Sequence, residues 1–529
     1  MERPLAQYLA KMPALGLFLR PTATSLKMGR GKTTMSVPRT TRTEADLPQV
    51  TLMTLLYRII FKGYYNRVHE LQLYEKQLYG PMFKINTGAF QTISICSADL
   101  MEEIFRKDEK FPSRGDMSLW TEYRDIKGLG YGPLTQEGEK WYKLRSVLKK
   151  RMLNPKDIVK YEDMVNEVVT DFIKRIYNLR KMSSTGDLVP DMSNELYLVS
   201  LEGISRILFE TRIGCLDNKI PAETRDFIDS IGQMFLYNML VLPFPTWTRN
   251  YLPFWQRFVK GWDGIFKFAC KLIDRKMEDI QRCLDTGQEG AGGYLSYLLS
   301  NTNIGKTDIY GSVAEMLVGG VDTTSNTMLW ALYLLSQNPK AQDTLYLEVT
   351  SIVKGDKIPT AEDINKMPYL KAVIKETLRV YPVVPINGRL FSRNDIIIGG
   401  HYFPKKTAFT FYHYAISHDE SIFPEPSLFK PERWLRDGRE RPNSFSSIPF
   451  GFGVRGCIGK RIAELEMHLA LARIIKLFEV KLDPSVGEVK AVTRIMLVAD
   501  RQVNFQFLER KPALSSSDEL KGFTPSLQS

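Results

Sequence analysis

Five cysteines in 529 residues (Cys96, Cys215, Cys270, Cys283 and Cys457) are too few and too scattered for a disulfide framework or a zinc ribbon. An odd count in a long chain fits a reducing compartment, where most thiols pack as small hydrophobes. No run of about 18–20 apolar residues occurs, so the sequence offers no membrane-spanning helix. Nothing repeats at intervals of about 20–50 residues, which excludes solenoids and propellers. No glycine-rich linker is long enough to divide the chain, and GQEGAGG at 287–293 has the length of a surface loop. Acids are almost missing from residues 1–43, which carry eight basic residues and one acid, Glu2, among threonines and serines. That is the composition of an organelle transit peptide, and Lys11 and Arg20 interrupt the apolar core a secretory signal needs. The expectation is a mitochondrial leader over 1–43 and a loose Ser- and Pro-rich tail over 511–529.

What remains is ordinary globular material, with 43% hydrophobic and 25% charged residues. The chain has 72 basic and 60 acidic residues, a net charge of +12. The leader holds +7 of it, leaving 64 basic residues against 59 acids, or +5, and no reason to invoke nucleic acid. Apolar periodicity predicts helices at about 51–78, 137–150, 157–181, 191–210, 222–240, 251–285, 308–337, 340–354, 367–380 and 460–477. Strand-like runs fall at 82–95, 388–397, 407–412 and 493–508. The fold class expected is mainly α with small β-sheets, as one domain over 44–510.

One cysteine stands apart. In Pro449-Phe450-Gly451-Phe452-Gly453-Val454-Arg455-Gly456-Cys457-Ile458-Gly459, four glycines surround a single thiol just before a helical segment. Glycines let the backbone turn tightly and come close to a flat ligand. A helix N-terminus and a nearby arginine favour the thiolate, the form that ligates a metal. The segment resembles Phe-x-x-Gly-x-Arg-x-Cys-x-Gly, the haem-binding loop of the cytochrome P-450 family, at every fixed position. The resemblance implies the fold of that family and a haem held by Cys457, with Phe450, Arg455 and Gly459 in contact with it.

Other segments match the same family. Glu376 and Arg379 stand at i,i+3 on a predicted helix, a spacing that alone is common and weak. Arg433 follows in PERW where the family places a second arginine, implying a structural Glu376–Arg379–Arg433 network. Near the middle of the predicted 308–337 helix stands Gly319-Gly320-Val321-Asp322-Thr323-Thr324. Taken alone, paired glycines there read as close helix packing with polar residues on a wet face. The resemblance implies instead an oxygen site, with Thr323 and Asp322 as catalytic residues delivering protons to dioxygen. Trp141 and Arg145, one turn apart, and Arg389 match positions that contact haem carboxylates, a task suited to guanidinium forks.

The pattern is most like the mitochondrial branch, in particular its sterol 26-hydroxylase (27-hydroxylase) group, with vitamin D hydroxylases and retinoid desaturases as relatives sharing these motifs. That implies side-chain hydroxylation of a sterol with O2, with electrons from a ferredoxin and its NADPH-dependent reductase. Lys371, Lys375, Lys460 and Arg461 match the ferredoxin-docking face. Substrate contacts carried over from the family are the loop before Trp141, Val318, Val383, Val384, Asn387 and the segment Met496–Val498 around Leu497. Residues 235–262 mix aromatic, aliphatic and basic residues, an interfacial composition that suits peripheral contact with the matrix side of the inner mitochondrial membrane. A non-catalytic haem-thiolate sensor or carrier is the rival from another class; it needs neither Asp322–Thr323 nor a cationic docking face.

Overall fold

Apolar residues three and four apart build twelve helices of nine or more residues among the described residues. The computed structural model describes residues 42–510 apart from 89–90, 243, 245, 287–292 and 437–441. The twelve are α1 Val68–Tyr79, α2 Ala98–Arg106, α3 Ser118–Lys127, α4 Gly138–Met152, α5 Glu162–Met182, α6 Met192–Phe209, α7 Ala222–Val241, α8 Pro253–Asp285, α9 Lys306–Gln337, α10 Pro339–Ile352, α11 Pro368–Val380 and α12 Lys460–Leu477. Most of the ten expected helices begin and end within about three residues of these. Two differ. The segment 51–78 is broken, because Gly63 turns left-handed (φ 72°) between short helical turns and α1. The segment 157–181 starts later, since Asn154 and Pro155 cap a separate short helix, Pro155–Val159, ahead of α5.

Helix α9 is the axis of the fold. Its 32 residues span about 48 Å, and buried residues lie on all its faces, so it packs as a core helix rather than a surface one. A large apolar core gathers α5, α6, α11 and α12 around it, with Trp262 of α8 and Trp330 of α9 fully buried. Residues 130–132 run against its first turns, where a methyl on Gly130 or Gly311 would overlap the facing backbone.

The sheets are small. The largest has five strands in the order Gln49–Thr51, Met82–Asn86, Gln91–Ile95, Thr407–Tyr412, Ile386–Phe391, and a second core fills the space between it and α2. The expected strand at 82–95 is an antiparallel pair, and 388–397 divides between Ile386–Phe391 and Ile396–Ile398. The 493–508 run resolves into part of a hairpin, Ala491–Arg494 with Met496–Ala499, and the separate strand Phe505–Glu509. Arg42 and Thr43, at the end of the expected leader, pair in parallel with His401 and Tyr402. The rest of that leader, the tail over 511–529 and most of the 287–293 loop lie outside the described residues. No helix among the described residues is long and apolar enough to cross a membrane.

Candidate functional site: a cysteine beneath the central helix

The loop before α12 is shaped by its glycines. Gly451 and Gly453 take φ values of 68° and 70°, where a side chain is strained. The chain then folds back, with Cys457 N donating to Phe450 O at 2.7 Å and Gly456 N to Gly453 O at 3.0 Å. This places Cys457 at the foot of α12, enclosed by protein yet exposed to an internal cavity of about 280 Å³. Burial raises the thiol pKa, while the Gly459 N–H and the charges of Arg114, Arg145 and Lys460 pull it the other way.

Helix α9 lies across the other side of the same cavity. Gly319, Gly320, Thr323, Thr324 and Thr327 line it, and a methyl on Gly319 would meet nothing within 4 Å. Thr323 Oγ1 donates to Gly319 O at 2.6 Å. Asp322 does not line the cavity. A helix turns by about 100° per residue, and the Asp322 carboxyl meets Tyr197 of α6 instead. Val383, Val384, Asn387 and Met496 add to the wall, and the buried Asn387 Oδ1 has no hydrogen-bond partner. Two expected substrate contacts stand one layer back. Val318 is buried among the core residues. Leu497 is fully buried, its N donating to Val383 O at 2.9 Å and its O accepting from Trp330 Nε1 at 3.1 Å, so it supports the wall rather than forming it.

Four guanidiniums border the cavity: Arg114, Arg145, Arg389 and Arg455. Arg145 donates to Gly456 O at 2.7 Å and Arg114 to Arg455 O at 2.8 Å, so both also brace the cysteine loop. Arg389 Nε is shared between the two oxygens of Asp108 at 3.2 and 3.0 Å. Arg455 reaches Pro112 O at 2.6 Å and Gln136 O at 3.0 Å, pairs with Glu137 at 2.9 Å, and stacks on the Trp141 ring at 3.9 Å. Two carboxylates, Asp108 and Glu137, thus face four cations, which leaves two positive charges. The strain shows on Arg114: burial, then repulsion from Arg389, pushes its pKa down to about 10, and its Nε has no partner.

Behind the loop, Glu376 and Arg379 are both fully buried. Arg379 holds the two Glu376 oxygens at 2.9 and 2.8 Å and donates to the carbonyls of Ser417, Pro426 and Leu428. Arg433 approaches Glu376 to 3.3 Å, and Trp434 Nε1 and Lys430 N also donate to that carboxylate. Lys371, Lys375, Lys460 and Arg461 all exert their charge on Glu464, one carboxylate among four cations. Lys375, Lys460 and Arg461 are exposed and Lys371 is half-buried.

The cytochrome P450 family profile matches residues 48–507. The chain belongs to the cytochrome P450 family. It is therefore a haem-thiolate monooxygenase. Among curated cytochromes P450 it is 46% identical over 478 residues to the mitochondrial sterol 26-hydroxylase of Mus musculus, covering 89% of this chain and 90% of that one. It is 44% identical over 482 residues to the same enzyme of Homo sapiens, covering 90% and 91% of the two chains. The mitochondrial 25-hydroxyvitamin D-1 alpha hydroxylase of Homo sapiens is 38% identical over 478 residues, covering 89% and 93%.

The residues fit the P450 cofactor. Haem carries two carboxylates and an iron, and the site offers two unbalanced positive charges and a thiol facing the same space. Sequence reasoning missed several members of this P450 site. Arg114 sits in an unremarkable FPSRGD stretch, and only the fold brings it beneath the cysteine. Glu315, one turn before Gly319 on the cavity-facing side of α9, accepts from Arg124, Leu134 N and Thr135 and so fastens the 128–137 loop over the cavity. Tyr197 carries no motif at all.

Proposed function

We propose that this cytochrome P450 hydroxylates the side chain of a sterol, cholesterol or a bile-acid precursor, at the matrix face of the inner mitochondrial membrane. The observation that carries this reading is the 46% identity to a sterol 26-hydroxylase along nine-tenths of the chain, against 38% for the vitamin D enzyme. The apolar wall above Cys457 suits a lipophilic ligand oriented by few polar groups. In this reading residues 1–43 are an import leader and 44–510 the catalytic body. Exposed Leu236, Leu242, Trp247 and Tyr251, flanking the α7–α8 connection, give the protein an apolar surface for peripheral membrane contact.

Bound haem supplies dioxygen activation and oxidation of an unactivated C–H bond. The chain's own part is to hold, orient and move protons. Cys457 would hold the haem iron as its thiolate ligand. Arg114, Arg145, Arg389 and Arg455 would hold the two haem carboxylates, with Arg455 stacked on Trp141 and Phe450 and Gly459 lining the space for the ring. Val383, Val384, Asn387 and Met496 aim the substrate, with Val318 and Leu497 shaping the wall from behind. Thr323 presents its hydroxyl to the cavity, and Asp322 feeds it protons from the far side of α9. The cationic group around Glu464 receives an acidic ferredoxin, reduced in turn by an NADPH-dependent reductase.

The test is turnover of cholesterol, a bile-alcohol precursor, vitamin D3 and retinol by the holoenzyme with ferredoxin and its reductase. Side-chain hydroxylated sterol is expected as the fastest product. Preference for vitamin D3 or retinol would replace the substrate assignment, and no oxidised sterol at all would overturn it. In the same assay, K371E and K375E together are expected to raise the KM for ferredoxin by roughly ten-fold or more, the scale of electrostatic steering. The rise should shrink at high salt, and an unchanged KM would remove the docking face.

A further inference from the structure

The carboxyl of Asp322 is held in an asymmetric way. Its Oδ1 accepts from the Tyr197 hydroxyl at 2.5 Å, while its Oδ2 is buried with no partner. Tyr197 comes from α6, 125 residues earlier. Its phenol oxygen accepts from Asn326 Nδ2 at 3.0 Å, and the same amide donates to Asp322 O at 2.8 Å. Ser325 also reaches the Tyr197 hydroxyl. The groups bearing on the carboxyl are therefore Tyr197 from α6, Ser325 and Asn326 from α9, and the charge of Arg494 from the 491–499 hairpin.

We propose that Tyr197 is the positioning residue of the proton relay: its hydroxyl pins one oxygen of Asp322 and leaves the other as the proton carrier. The inference rests on the reading of Asp322 as a proton donor given above. A buried carboxylate oxygen without a donor gains most from protonation, because that removes a charge nothing beside it compensates. The pinned oxygen keeps the carboxyl from turning its free edge back into α6. The carboxyl gives up one proton and takes one back in each cycle, so it ends as it began. Burial lifts the Asp322 pKa to about 6, and the Tyr197 bond restrains that rise. A proton affinity this close to neutrality suits a group that both takes and gives.

If Tyr197 only tied α6 to α9, its loss would lower the melting temperature and leave the titration of Asp322 where it is. The holoenzyme is therefore compared with Tyr197→Phe, Asp322→Asn and the double variant by infrared titration of the ferric resting state. The carboxyl band that D322N removes is expected to titrate about one pH unit higher in Y197F, the shift that follows from losing a donor to a charged group. Product formed per NADPH should fall in Y197F and in D322N, and no further in the double variant. If D322N leaves that ratio unchanged, the relay reading of Asp322 fails. If D322N lowers it but Y197F moves neither band nor ratio, or adds to D322N, the role of Tyr197 fails. Asn326→Ala, which removes the donor to the phenol oxygen, should shift the band the same way by less, and it decides the matter if Y197F does not fold.

Discussion

Serine in place of Cys457 is expected to leave a folded protein with no thiolate-type Soret band in the reduced carbon-monoxide difference spectrum. Its turnover should fall to the limit of detection. The two side chains are nearly the same size, and the loop is held by backbone bonds and by the left-handed turns at Gly451 and Gly453, so its shape survives. What is lost is the ionised sulfur. A hydroxyl does not ionise there, and thiolate electron density is what favours O–O cleavage. Cys96→Ser and Cys215→Ser serve as controls. Both thiols are buried, their pKa values are raised by burial, and neither lines the cavity, so the band should persist. A thiolate-type band from Cys457→Ser would remove Cys457 as the ligand.

Arg379→Ala is expected to cost about 3–5 kcal/mol, the range for removing one partner of a buried ion pair. Against a total stability of about 5–15 kcal/mol, little holoenzyme should accumulate. The loss is larger than that of a pair on the surface for two reasons. Glu376 would keep its charge in a fully buried place, and the carbonyls of Ser417, Pro426 and Leu428 would lose their donor together. Arg379→Lys should recover only part, since an ammonium cannot reach both Glu376 oxygens and three carbonyls at once. Thermal loss of the Soret band, followed for wild type, R379K and R379A, checks the order. Equal midpoints would show that the network carries no stability.

The features legible in the sequence are those whose partners are near in the chain. The cysteine loop packs its glycines and thiol into eleven residues, and the Glu376–Arg379 pair sits at helical spacing. Long helices were legible because their apolar spacing persists over many turns. The rest depends on distant contacts. Arg114 meets the cysteine loop 341 residues further on, and Tyr197 meets Asp322 125 residues further on; no local pattern marks either. Asp322 and Thr323 are adjacent in sequence, yet consecutive helical residues point apart, so only Thr323 reaches the cavity. The break at 62–67 was hidden by apolar residues such as Met53 and Phe61, which mimic a buried helix face but lie exposed.

The Glu376 network also says something about the order in which the chain assembles. Its first bond joins residues three apart and can close as soon as α11 winds, with almost no loop entropy to overcome. The remaining partners arrive 38 to 58 residues later, all in the stretch that leads into the cysteine loop. A chain threaded N-terminus first thus carries a local seed that waits for its completion. The last piece to settle on it is the segment that must carry Cys457 into place.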